Sequence, residues 1–167
     1  MKKRWLLPLL LPLLLAANAQ AVEHRLGVGG NYWKTLDDID LKNRSVDEDD
    51  FSLAATYQYW AGLFGLEVDL EFLPDRFGDD ALAPQAFVLV GRGLYAGLGA
   101  GIVYSDSEFA ESPFLALKAG INLEILPGIY ADIYANYRFN DTKDIDNEDT
   151  DIDTDTVFLG AALRFVL

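Results

Sequence analysis

The chain has 167 residues and no cysteine; 13 lysines and arginines stand against 27 aspartates and glutamates, for a net charge of −14. The length suits one domain, and the sign of the charge excludes a nucleic-acid partner. The lack of cysteine excludes a disulfide framework, a thiol site and a lipoprotein anchor.

The N-terminus reads MKKRWLLPLLLPLLLAANAQA. Lys2, Lys3 and Arg4 form a basic n-region, and Leu6 to Leu15 an apolar core interrupted by Pro8 and Pro12. Ala17-Asn18-Ala19 and Ala19-Gln20-Ala21 both fit a small-x-small cleavage site. The apolar run is too short to span a bilayer, so residues 1–21 are expected to be a cleavable signal peptide. Residues 22–167 then form the domain. No second stretch approaches the length of a transmembrane helix, but an exported chain can still cross a membrane as a closed β-barrel.

Period-two alternation runs through that domain. Leu26, Val28, Gly30 and Tyr32 share one face, as do Phe51, Leu53, Ala55, Tyr57 and Tyr59. The clearest segment sets Leu66, Val68, Leu70 and Phe72 against Glu67, Asp69 and Glu71. QAFVLVG at 85–91 is apolar on both faces, and its phase stays ambiguous. Leu94 to Tyr104 follows, alternating with Gly97, Gly99 and Gly101. Leu115 to Leu123 alternates with Lys118 and Asn122, and Ile129 to Phe139 with Asp132, Asn136 and Arg138. Val157 to Leu167 is the last segment. The pattern predicts eight strands of about ten residues, the length a tilted strand needs to cross a bilayer.

The connections alternate in kind. Three are tight, at Gly62–Gly65, Gly91–Gly93 and Leu126-Pro127-Gly128; four are long and polar, at 35–50, 74–84, 105–112 and 140–156. The four long loops hold 21 acidic and 4 basic residues, whereas the strands and short turns hold 6 of each. The excess charge therefore gathers at one end of a neutral body. A soluble lipocalin-like barrel also alternates, but with its apolar face inward. Here the apolar face is too bulky for the inside of eight strands, and the other face carries small residues and balanced charges. Aromatics gather at the strand ends, with Tyr32, Phe51, Phe72, Tyr104, Tyr137 and Phe139 on the loop side and Tyr57, Tyr59 and Phe165 on the turn side. Two interfacial girdles have that arrangement.

In this pattern the chain resembles the small eight-stranded outer-membrane β-barrels, the OmpA/OmpX-like group. The resemblance covers residues 22–167 in topology rather than in a diagnostic motif. It implies an all-β, eight-stranded antiparallel up-and-down barrel in the outer membrane of a Gram-negative-type bacterium. Both termini and the short turns would face the periplasm. The expected partners are outer-membrane lipid, lipopolysaccharide and the barrel-assembly machinery, with the barrel itself a monomer. The C-terminal strand of the group usually ends in an aromatic residue; FLGAALRFVL keeps Phe165 but ends in Leu167. The group includes structural proteins, adhesins, small pores and lipid-A enzymes, so the resemblance leaves the activity open.

Three chemistries compete. Asp144, Asp146, Asp149, Asp151, Asp153 and Asp155 alternate as oxygen ligands of a divalent cation do, and weak Ca²⁺ or Mg²⁺ binding is one reading. No EF-hand is present, because Asp149 stands at the position that needs glycine. The other reading is a solvated acidic loop. Loop 35–50 lies beside 140–156 in a closed barrel, and together they carry a net charge of −12. On the inward face, Glu67, Asp69, Glu71 and Asp132 meet Lys118, Arg138 and Arg164, either as a plug of ion pairs or as the lining of a small ion-conducting pore. Lipid-modifying enzymes on this scaffold use histidine with serine or aspartate. His24, the single histidine, falls at the expected periplasmic end. No catalytic residue is assigned, and no cofactor beyond a weakly bound cation. The reading that results is a non-enzymatic surface barrel with acidic extracellular loops.

Overall fold

The computed structural model describes residues 22–36, 49–76, 79–105, 108–110, 112–143 and 152–167. Side chains at 75, 76, 79, 140–143 and 152–154 are outside this description, as is the expected leader at 1–21. Eight long strands dominate: β1 (Val22–Thr35), β2 (Asp49–Ala61), β3 (Phe64–Arg76), β4 (Asp79–Gly91), β5 (Leu94–Gly101), β6 (Phe114–Leu126), β7 (Ile129–Lys143) and β8 (Ile152–Val166). Each pairs antiparallel with its neighbours in sequence. β1 also pairs with β8 through eleven residue pairs, from Arg25↔Val166 to Thr35↔Thr156, and so closes the barrel. Closure removes both sheet edges.

The alternation decides which face goes inside. In β3, Leu66, Val68 and Leu70 are 53%, 55% and 48% exposed, while Glu67, Asp69 and Glu71 are 1%, 2% and 0% exposed. The other strands follow the same rule, with Val28, Leu53, Leu98, Leu117, Ile133 and Leu159 outward. The ambiguous segment resolves with Phe87 and Leu89 inward and Val88 and Val90 outward. A continuous apolar belt thus faces outward, far beyond the apolar patch a water-soluble monomer exposes.

The three tight turns fall where the sequence places them. Gly62 and Gly128 adopt φ of 66° and 76°, a region a residue with a Cβ enters only at a cost. The loop end departs from expectation at 74–84. β3 runs to Arg76 and β4 starts at Asp79, so this segment is mostly strand. The alternation carries on past the prolines: Ala81 and Ala83 point inward and Leu82 outward, and Pro84 pairs with Leu70. The Pro84 carbonyl accepts from Ile102 N–H at 3.1 Å. The connection after β5 is also partly ordered. Tyr104–Ser105 and Glu108–Phe109 form a short hairpin, with Tyr104 opposite Leu82 of β4.

Leu70 lies at mid-strand, paired with Ala55 of β2. Leu70→Arg should lower the folding free energy in lipid vesicles by about 2–4 kcal/mol, the depth-dependent cost of a charge on a lipid-facing wall. Reversible urea unfolding in vesicles measures it, and a change below half a unit would mean that this face does not meet lipid.

Candidate functional site

The lumen holds the charged side chains singled out in the sequence. Residues i, i+2 and i+4 of a strand share a face, so β3 projects Glu67, Asp69 and Glu71 inward as one acidic column. The cations come from other strands. Lys118 of β6 pairs with Glu67 and lies 2.9 Å from Asp69. Arg164 of β8 pairs with Asp132 of β7 and reaches Glu67 at 3.2 Å. Arg138 of β7 pairs with Glu71. All seven side chains are at most 2% exposed. β3 is three or four strands from β6, β7 and β8 around the ring, so most of these pairs span the lumen rather than follow a wall.

Neutral donors add to the shells. Glu71 accepts from Asn31 Nδ2 at 2.6 Å and from the Ser52 hydroxyl. Glu67 accepts from Gln58, whose Oε1 in turn takes the Trp60 indole N–H at 2.9 Å. Tyr95 donates to Asp132 at 2.9 Å, and Tyr134 to Asn31 Oδ1 at 2.6 Å. A partnered buried charge tolerates desolvation, whereas one stripped of its partner costs several kcal/mol.

The expectation that the inward face carries small residues and charges needs correction. Trp33, Trp60, Phe87, Tyr95, Phe114, Tyr134 and Phe158 are all buried there as well. Eight strands leave room for this bulk because glycines stand opposite the rings. A Cβ on Gly120 would lie 2.6 Å from the Tyr95 hydroxyl, and one on Gly65 2.8 Å from the Trp60 ring. Cations stack on the rings: Lys118 Nζ lies 4.1 Å from the Tyr134 centroid, and Arg138 Cζ 3.9 Å from that of Phe158. The alternating glycines of β5 were the sequence signal for two of these rings, Phe87 beside Gly99 and Phe114 beside Gly101.

Arg25, Glu23 and Arg92 form a second cluster at the turn end, which the inward-face reading did not single out. Glu23 pairs with Arg25 on its own strand and with Arg92 Nη2 at 2.8 Å. Arg92 sits in the β4–β5 turn, on the far side of the ring from β1, so this contact crosses the mouth. Among the described residues the lumen and its mouth therefore carry five carboxylates and five cations.

The remaining candidates are the loop aspartates and His24. Asp144, Asp146, Asp149 and Asp151 lie outside the described residues, and so does the Asp153 side chain. Asp155 accepts a hydrogen bond from Tyr137 at 2.7 Å, and Asp49, at the root of the other acidic loop, accepts one from Tyr32 at 2.6 Å. Among the described residues no three histidine or carboxylate side chains converge as metal ligands. His24 is exposed at the turn end, where its Nδ1 shares a 2.6 Å hydrogen bond with the Tyr57 hydroxyl.

Comparison with solved structures identifies the fold. Neisserial surface protein A superposes with a TM-score of 0.54 at 14% identity, over 86% of this chain and 96% of that one. The outer membrane protein OprG from Pseudomonas aeruginosa superposes with a TM-score of 0.55 at 14% identity, over 89% of this chain and 98% of that one. The chain has the fold of the small eight-stranded outer-membrane barrels. No protein-family model and no curated protein matches the sequence.

Lys118→Met strips Glu67 and Asp69 of a shared cation and should destabilise the barrel by about 3–5 kcal/mol. Adding Asp69→Asn should restore part of that loss, because one buried charge then no longer needs a partner. Unfolding midpoints in detergent test both; unchanged midpoints would mean that water screens the lumen.

Proposed function

We propose that the chain is a non-enzymatic barrel of the bacterial outer membrane, whose lumen is a structural plug and whose working surface is the loop end. On this reading the leader at 1–21 is removed during export. The apolar belt sits in the outer membrane, and the acidic loops face the outside, in contact with lipopolysaccharide, cations or a basic partner. The observation that carries the reading is the lumen itself. Its central charged side chains pair with one another, mostly across the barrel, and aromatic rings fill the space between them. A wet pore keeps its charges hydrated and apart.

The excess charge supports the loop end as the working surface. The paired lumen contributes no net charge, so the acidity belongs to segments that reach past the membrane boundary. The fold comparison supports the membrane setting. The catalytic alternative lacks support in the described residues, since His24 meets only aromatic side chains, Tyr57 and Tyr59.

Planar-bilayer recording should show no steady discrete conductance for the wild-type protein. A reproducible single-channel step would overturn the plug. Mass spectrometry of lipid A from cells with and without the protein should give identical spectra. A shift by one acyl chain would replace this reading with that of a lipid-modifying enzyme.

A further inference from the structure

We propose that the turn-end mouth of the barrel is a binding site for small oxyanions of the phosphate class, built on Arg25. The Arg25 side chain is fully buried. Its Nε donates to Glu23, yet Nη1 and Nη2 have no hydrogen-bond partner within the protein. Its faces are occupied: the Tyr130 ring lies 3.5 Å from Cζ, and the Trp60 ring 5.9 Å. What remains without an acceptor is the edge of the guanidinium, the fork of donors that matches two oxygens of a phosphate or carboxylate.

Buried donors without acceptors are rare in native proteins, and each calls for a ligand or a solvent partner. Two other cations of this lumen are better supplied. Lys118 and Arg164 each meet two carboxylates. Arg25 meets one, through a single nitrogen, and that carboxylate also binds Arg92 across the mouth.

Access is from the turn end. Glu23 and Arg92 are 16% and 36% exposed, so both side chains are reached from outside the barrel. Glu23 turned wholly toward Arg92 uncovers Arg25 without breaking the clasp across the mouth. Among the described residues, an anion that enters there finds no free cation beyond, because Lys118 and Arg164 are each held by two carboxylates. The feature is therefore a site and not a pathway. It lies inside the wall, so free oxyanion is its ligand rather than the headgroup of a surrounding lipid.

Trp60 reports on this site directly. Trp33→Phe leaves Trp60 as the single indole in residues 22–167. In phosphatidylcholine nanodiscs, inorganic phosphate should change Trp60 emission saturably, and chloride at equal ionic strength should not. Glu23→Gln should tighten phosphate binding severalfold, since it removes the charge that competes for Arg25. Arg25→Lys should weaken it by a similar factor, since the fork is lost while the charge stays. A response to phosphate that fails to saturate, or a Glu23→Gln variant that does not tighten, would overturn the site. If Arg25→Lys does not fold, the Glu23→Gln comparison alone decides. Nanodiscs containing phosphatidylglycerol should give the same phosphate titration. A signal that requires the anionic lipid and ignores phosphate would assign the effect to headgroups and reject the proposal.

Discussion

The acidic column on β3 is the constraint around which the molecule is organised. Three carboxylates on one face of one strand, Glu67, Asp69 and Glu71, enter a space too narrow for bulk water. The desolvation of each ion amounts to several kcal/mol, and only a partner of opposite charge with good geometry offsets it. The partners arrive from β6, β7 and β8. Those strands face β3 only when β1 and β8 have paired. The ion pairs therefore need the closed barrel, and the closed barrel needs the ion pairs. Either without the other leaves uncompensated charge in a dry interior.

The outer surface follows from the same alternation. Every second residue is committed to the lumen, so the residues between them face away, and these are leucine, valine, isoleucine and phenylalanine. In water that belt would drive aggregation; in hydrocarbon it loses nothing, and the backbone polar groups are already satisfied between strands. The rings at the belt margins tie to the chain beyond it. Tyr32 and Tyr137 donate to Asp49 and Asp155, so the edge of the apolar belt is tied to the first carboxylates beyond it.

Packing accounts for how the lumen is filled. A narrow barrel lined with charge alone would hold gaps, and the gaps would admit water. Here Tyr95, Tyr134, Phe114 and Phe158 fill the space between the charged groups, and glycines on the adjacent strands make room for the first three. Low dielectric then strengthens each ion pair and hydrogen bond in the network. Satisfaction is not complete everywhere: Asp69 Oδ1, Asn122 Oδ1 and Asn136 Oδ1 are buried without a hydrogen-bond partner, and so are two nitrogens of Arg25 at the turn-end mouth. Arg25 is as buried as the others but only partly satisfied.

The number of strands, most of their inward and outward faces and the tight turns were legible in the sequence. Each is a local property: side-chain direction alternates residue by residue, and turn residues act on their own backbone. The seven charged residues of the central lumen were legible for the same reason, since a lone polar residue in an apolar strand must point inward. The membership of the pairs was not. Glu67 could meet any cation at its depth, and only the shear and closure of the sheet bring Lys118 and Arg164 to it. The rings of Trp33, Trp60, Tyr95 and Tyr134 were also missed, because an aromatic residue suits either wall of such a barrel, and the space opposite decides. The phase of Phe87 and Leu89 and the strand character of 74–84 were settled by pairing with neighbours far along the chain. The alternation of a strand says which way a side chain points; what it meets there depends on the opposite wall, and that wall exists only once the barrel has closed.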